Sequence, residues 1–255
     1  ITLHPRDNAM LLATHGRAIW ILDNLAPIQE YAAAQAAADA KLFSPPPAAM
    51  FRRPARDRNY EFWGDQTFFG QNPPQAAVLA WFLKKDVGEV KLKVTDAAGR
   101  EVREISGSVL ANSNKAGVQA ACWDLRVQPL AGPQLTVTGA APAAGGRGAG
   151  QAGGQPAAGG QQPGGPGGGA GAASPFGAGC GTGGGGFGGG GFGGGAATAG
   201  PYVLPGTYNV SLIVDGKTVE TKPLRVMADA EVALTEIDRK RNFDMAMEMH
   251  ELQKR

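Results

Sequence analysis

The tightest grouping of chemically capable side chains in this 255-residue chain is His15-Gly16-Arg17. An imidazole and a guanidinium two positions apart on a turn could bind a carboxylate or another anionic ligand, since Arg presents a planar fork of donors and His adds one more. The plainer reading is a hairpin turn, with Gly16 free to take a positive φ and Arg17 paired to an adjacent chain. The carboxylates offer no second grouping. Asp65, Asp86, Asp96 and Asp124 are scattered over turns and strand ends, at no spacing that would pair two of them for acid–base work. Ser44, Ser106, Ser108 and Ser113 sit in no nucleophile-elbow context. The run GGGGFGGGGFGGG at 183–195 lacks both the Lys-Ser/Thr and the preceding strand of a phosphate-cradling loop.

Two cysteines, Cys122 and Cys180, are too few for a zinc framework, and no His/Cys cluster has metal-ligand spacing. No metal and no cofactor are expected. A Cys122–Cys180 disulfide would need an oxidising compartment; two free thiols are the default expectation. A net charge of +2, with both signs interspersed, points away from nucleic acid and from anionic membrane surfaces. No apolar run approaches the roughly 18 residues of a membrane span. Neither an initiator Met nor a signal peptide is present, so the chain reads as processed, truncated or taken from a longer precursor.

These residues must be positioned mostly by strands. At the start, HPRDNAMLLATHGRAIWILDNL reads as three short strands joined by turns at Pro5-Arg6-Asp7-Asn8 and His15-Gly16-Arg17. Their apolar residues fall on both faces, which suits the outer part of a propeller blade lying between neighbouring blades. Alone they would be marginal in water. Pro27 and the Ala/Gln/Glu-rich run to Lys41 predict a helix over 27–41, capped by Asp23 or Asn24 and stopped at Ser44-Pro45-Pro46-Pro47. The remainder of 25–75 reads as an extended, aromatic-rich linker.

From Ala76 to about 229 the pattern is that of an antiparallel β-sandwich of six or seven strands. Candidate strands are 76–85, a hairpin over 90–105 turning near Asp96–Gly99, 117–127 with Trp123 as a core anchor, and a hairpin over 206–226. Asp215-Gly216 supplies a type I′ turn in the last. A glycine-rich insertion at about 128–199 interrupts the sandwich: thirty of the 40 glycines lie between Gly139 and Gly200, with Arg147 the single charge there. Composition alone makes it a surface loop. The alternative is that Phe176, Phe187 and Phe192 act as apolar studs that bind neighbouring surfaces. Residues 235–255 predict a helix capped by Thr235 and Asp238, with Phe243, Met247 and His250 on a docking face and His250 partly exposed.

In order, LHPRDNAMLLATHGRAIWILDNLAPI, LFSPPPA, GQNPPQAAVLAWFLK, VKLKVTDAAGREVRE, CWDLR and LPGTYNVSLIVDGKTVETKPLRVMAD resemble the C-terminal region of a family of large bacterial proteins. Those are BNR-repeat or sortilin (VPS10)-like β-propellers, sometimes labelled glycosyl hydrolases. The resemblance covers most of the chain outside the insertion. It implies that residues 1–24 are strands of a last propeller blade, completed by upstream propeller polypeptide, and that the later strands form an immunoglobulin- or fibronectin-III-like sandwich.

The family label invites a glycosidase reading, which needs two positioned carboxylates or a tyrosine with an arginine cluster. Neither is legible, and Asp-box repeats do not appear. The expectation is therefore a non-catalytic portion of a secreted, periplasmic or cell-surface protein, acting in assembly or in protein or glycan recognition. Its contacts would run through the insertion and the terminal helix. The alternative is part of a glycosidase or other hydrolase whose active site lies on other blades.

Overall fold

The structure is a computed structural model that describes residues 1–4, 7–16, 19–50, 74–130, 180 and 199–254. It is mainly β, with several sheets, one of them curled into a half-barrel. No helix among the described residues is long and apolar enough to cross a membrane.

Strands β1 (Thr2–His4), β2 (Ala9–Ala13) and β3 (Ile19–Leu22) make a separate antiparallel sheet in that order. Its left-handed residue is Asn8 at φ 49°. Gly16 does not take the positive φ expected of it. Helix α1 (Ala26–Gln29) follows, with the Ala26 amide donating to Asn24 Oδ1 at 3.0 Å and Pro27 in the first turn. After a break at Glu30 comes α2 (Tyr31–Ala36).

The helix predicted to run to Lys41 therefore ends five residues early, and Ala40–Leu42 is a strand, β4. Ala37 is already extended, and β4 pairs antiparallel with β6 (Ala77–Leu83), which buries Leu42 completely. Helix propensity is worth tenths of a kcal/mol per residue, and burying a leucine is worth about 2, so the tertiary pairing wins. β5 (Ala48–Met50) also comes from the segment read as linker, and it pairs parallel with β11 (Lys217–Ala228). A strand from the segment read as linker thus adds a parallel edge to the region read as antiparallel.

Two sheets carry the main core. One has the order β4-β6-β9, with β9 spanning Gly117–Trp123. The other has the order β5-β11-β10-β7-β8, built from β7 (Val90–Thr95), β8 (Glu101–Ile105), β10 (Gly206–Val214) and β11 (Lys217–Ala228). Val90, Leu92 and Val94 face inward and alternate with outward Lys91 and Lys93, and Tyr208, Val210, Leu212 and Val214 do the same on β10. Residues of both sheets belong to a single buried cluster that includes Trp81, Trp123, Leu42, Leu92 and Leu224. Asp215 and Gly216, at φ 47° and 79°, make the tight β10–β11 turn that the Asp-Gly pair predicts.

β6 is apolar on both faces. Ala77, Leu79, Trp81 and Leu83 enter the main core, while Ala80 and Phe82 enter a second cluster with Ala26, Ala34 and Phe43. Tyr31 of α2 meets Phe82 edge-on at 5.9 Å. Both covers come from this chain.

The segment after β9 leaves one sheet for the other. Val127 N–H donates to Pro201 O at 2.9 Å, and Gln128 N–H donates to Val102 O of β8 at 2.8 Å. The approach is close enough that a Cβ on Gly200 would stand 2.5 Å from Val127 O. Helix α3 (Glu236–Gln253) begins at Thr235, whose Oγ accepts from Asp238 N–H at 3.1 Å. Phe243 and Met247 pack against the main core as expected. His250, expected to be partly exposed, is buried, with Nε2 3.1 Å from Gln128 O. The loop after β9 gives its ring a carbonyl partner, which a helical wheel does not reveal.

Candidate functional site

The β1–β3 sheet has two apolar faces. Its register places Leu3, Met10 and Leu22 together, with Leu12 and Trp20 beside them, on one face; Ala9, Leu11, Ala13, Ile19 and Ile21 share the other, with Thr2 and His4 at its β1 edge. Ile19, Trp20, Ile21 and Leu22 are 71, 57, 60 and 38 % exposed. A solvated antiparallel sheet ordinarily alternates apolar and polar residues, so apolarity on both sides belongs to a strand buried on both sides. Among the described residues, the sheet meets the start of α1 at one corner. Asn8 and Gln29 exchange side-chain hydrogen bonds, 3.0 Å each way, and Leu25 N–H donates to Asn8 O at 3.1 Å. Ala9 and Leu25 are buried there.

Of the residues singled out for binding, His15 is exposed at the end of this sheet. Arg17, Phe176, Phe187 and Phe192 lie outside the described residues. Asp65 does as well. Among the other carboxylates, Asp86 accepts from Ala116 N–H at 2.9 Å and pairs with Lys115 at 3.0 Å. Asp96 accepts from the Ala98 and Arg100 amides and from Arg100 Nε. Both are held below the ordinary carboxylate range, chiefly by those backbone donors. They fix turns, as Asp124 does through the Arg126 amide. Among the described residues no group of three His, Cys, Asp or Glu could hold a metal.

Cys122 and Cys180, expected as free thiols, form a disulfide with Cα atoms 5.0 Å apart. Cys122 alternates with Ala120 and Val118 on the outer face of β9, the face that β6 turns toward Phe82. Cys180 is buried on it. A separation of 58 residues gave no sequence signal for the pairing.

Sequence reading also missed the densest cluster of charge. Lys222 Nζ stands 2.7 Å from Glu30 Oε2, 3.8 Å from Glu220 and 3.1 Å from Ser44 Oγ; Lys41 stands 3.5 Å from Glu220. Ser44 N–H donates to Glu30 Oε1, and Leu42 N–H donates to Glu220 Oε2, each at 3.0 Å. Burial alone would raise the Glu30 carboxyl. The Lys222 and Ser44 hydrogen bonds and the Lys222 charge outweigh that and hold it below its ordinary value. The two carboxylates are spent on lysines and amides, so the cluster locks the α1–α2 break and β4 onto β11. The one legible hint was Glu220 and Lys222 two apart on a strand, hence on one face.

Beside α3, a depression of about 240 Å3 is lined by Arg126, Pro201, Met249 and His250, among others. Arg126 is already engaged there: its Nη1 donates to Gly200 O at 2.9 Å, and its guanidinium lies 3.7 Å over the Tyr202 ring. The Asp86, Asp96, Asp124, Glu30–Lys222 and Arg126 groupings are thus committed to holding the fold, and the β1–β3 sheet is an exposed apolar surface. No protein-family model, curated protein or solved structure matches this chain.

Proposed function

We propose that this chain is a non-catalytic assembly or recognition portion of a secreted β-propeller protein. In this reading β1–β3 belong to a last blade, and the strands from β6 onward form an immunoglobulin- or fibronectin-III-like sandwich. The observation that carries it is the β1–β3 sheet, apolar and uncovered on both faces. Propeller blades are stacked between neighbours, so each face of such a sheet meets another sheet.

Two further observations favour the sandwich and the compartment. Trp123 packs edge-on against Tyr208 at 5.5 Å, and Tyr208 Oη donates to Leu204 O, four residues upstream, at 2.6 Å. This is the arrangement of the tyrosine corner common in immunoglobulin-like sandwiches. The Cys122–Cys180 disulfide suits an oxidising compartment. The resemblance of the ordered sequence blocks points the same way.

Hydrogen exchange tests the reading. The β1–β3 amides should exchange quickly in the 255-residue chain and slowly in the protein isolated from its source, whose intact mass should exceed that of this chain. Equal, fast exchange in both preparations would defeat it.

A further inference from the structure

Helix α3 carries a second apolar stripe opposite the one that docks. Phe243, Met247 and His250 face the core. At 100° per residue, Ile237, Met245, Met249 and Leu252 fall on the far side, and they are between 59 and 73 % exposed. Asp238, bonded to Thr235, interrupts that stripe near its start, and Arg241 and Glu248 lie within it, four residues before and three residues after Met245. Both are exposed, and neither has an ion-pair partner among the described residues.

The ends of α3 follow the macrodipole, with Glu236 and Asp238 in the first turn and Lys254 at the C-cap. Within the stripe, Arg241 lies on the N-terminal side of Met245 and Glu248 on the C-terminal side. That placement is self-complementary for a helix laid antiparallel on its own copy.

We propose that the exposed stripe of α3 is a homodimer contact, two copies packing antiparallel about Met245. A two-fold axis there sets Met245 against the partner's Met245. It places Leu252 beside the partner's Ile237 and the partner's Asp238, and the stem of Arg241 over the partner's Met249. Arg241 then meets the partner's Glu248, twice by symmetry. A parallel copy would oppose like charges instead. The stripe is narrow beside a standard interface, so the dimer is weak and concentration-dependent. This inference stands independently of the propeller reading, because α3 and the β1–β3 sheet share no residue.

Sedimentation of the full 255-residue chain tests it at low ionic strength. Arg241→Glu or Glu248→Arg alone should weaken self-association about tenfold, since two attractive pairs become repulsive. Mixing the two variants should restore it. In the mixed dimer the glutamate introduced in one copy faces the arginine introduced in the other, and the unaltered Arg241 and Glu248 still pair. Met245→Cys should yield a disulfide-linked dimer under mild oxidation. Association through the β1–β3 sheet would respond to none of these changes. Variants that sediment like the parent chain, or a mixture that stays as weak as its components, would overturn the proposal.

Discussion

β6 and β3 are written in the same style. AVLAWFL and IWIL are unbroken apolar runs with no polar face. β6 has two covers, the main core under Leu79, Trp81 and Leu83, and the α1–α2 turn over Ala80 and Phe82. β3 has neither, and all four of its residues are exposed. At roughly 25 cal/mol per Å2 of apolar surface, the same residue type that stabilises one strand contributes almost nothing in the other. A run without alternation states how many layers a strand requires, and it is silent on which polypeptide supplies them.

Substitutions can break or sharpen that contrast. Trp81→Ala, in a strand covered on both sides, should cost about 3–5 kcal/mol in a denaturant titration. A loss near 1 kcal/mol would mean that β6 is less enclosed than described. Cys122→Ser removes the staple on the outer face of β9. By loop-closure entropy over 58 residues it should cost up to about 4 kcal/mol, and adding reductant to the parent chain should lower its melting temperature equally.

Lys222→Met leaves Glu30 and Glu220 with only Lys41 between them and should cost about 1–3 kcal/mol. Because the Glu30 carboxyl is depressed in the fold, its contribution is complete above its ordinary value of 4.5 and is lost as pH falls through the lower folded value. The parent and Lys222→Met acid-unfolding curves should therefore converge at low pH; a constant gap would refute the linkage.

Asn8→Ala removes the hinge of the small sheet and puts a residue less tolerant of φ 49° in its place. About 1 kcal/mol of local stability should vanish. Exchange of the β1–β3 amides should quicken while the main-core melting temperature stays put. Trp20→Ala should change the stability of the 255-residue chain by under about 0.5 kcal/mol, a small value that is itself the other half of the Trp81 comparison.

Local pattern is legible where it involves neighbours along the chain. The alternation of Val90, Leu92 and Val94 with lysines marks β7. The Asp215-Gly216 pair marks the β10–β11 turn, and Thr235 with Asp238 marks the start of α3. Ala40 and Lys41 read as the end of a helix in the sequence, since the alanine-rich run before them satisfies helix propensity and only pairing with β6 makes Ala40–Leu42 a strand. A helical wheel leaves His250 partly exposed because it carries no record of the Gln128 carbonyl.

By itself the sequence determined periodicities, caps and turns, because each depends on residues within a few positions of one another. Only the tertiary structure decided the Cys122–Cys180 bond, the parallel β5–β11 pair and the Glu30–Lys222 contact. Those partners lie from tens to nearly two hundred residues apart. Closing such loops costs entropy that grows only slowly with length, so spacing does not select among partners. The packing of two sheets around one core does.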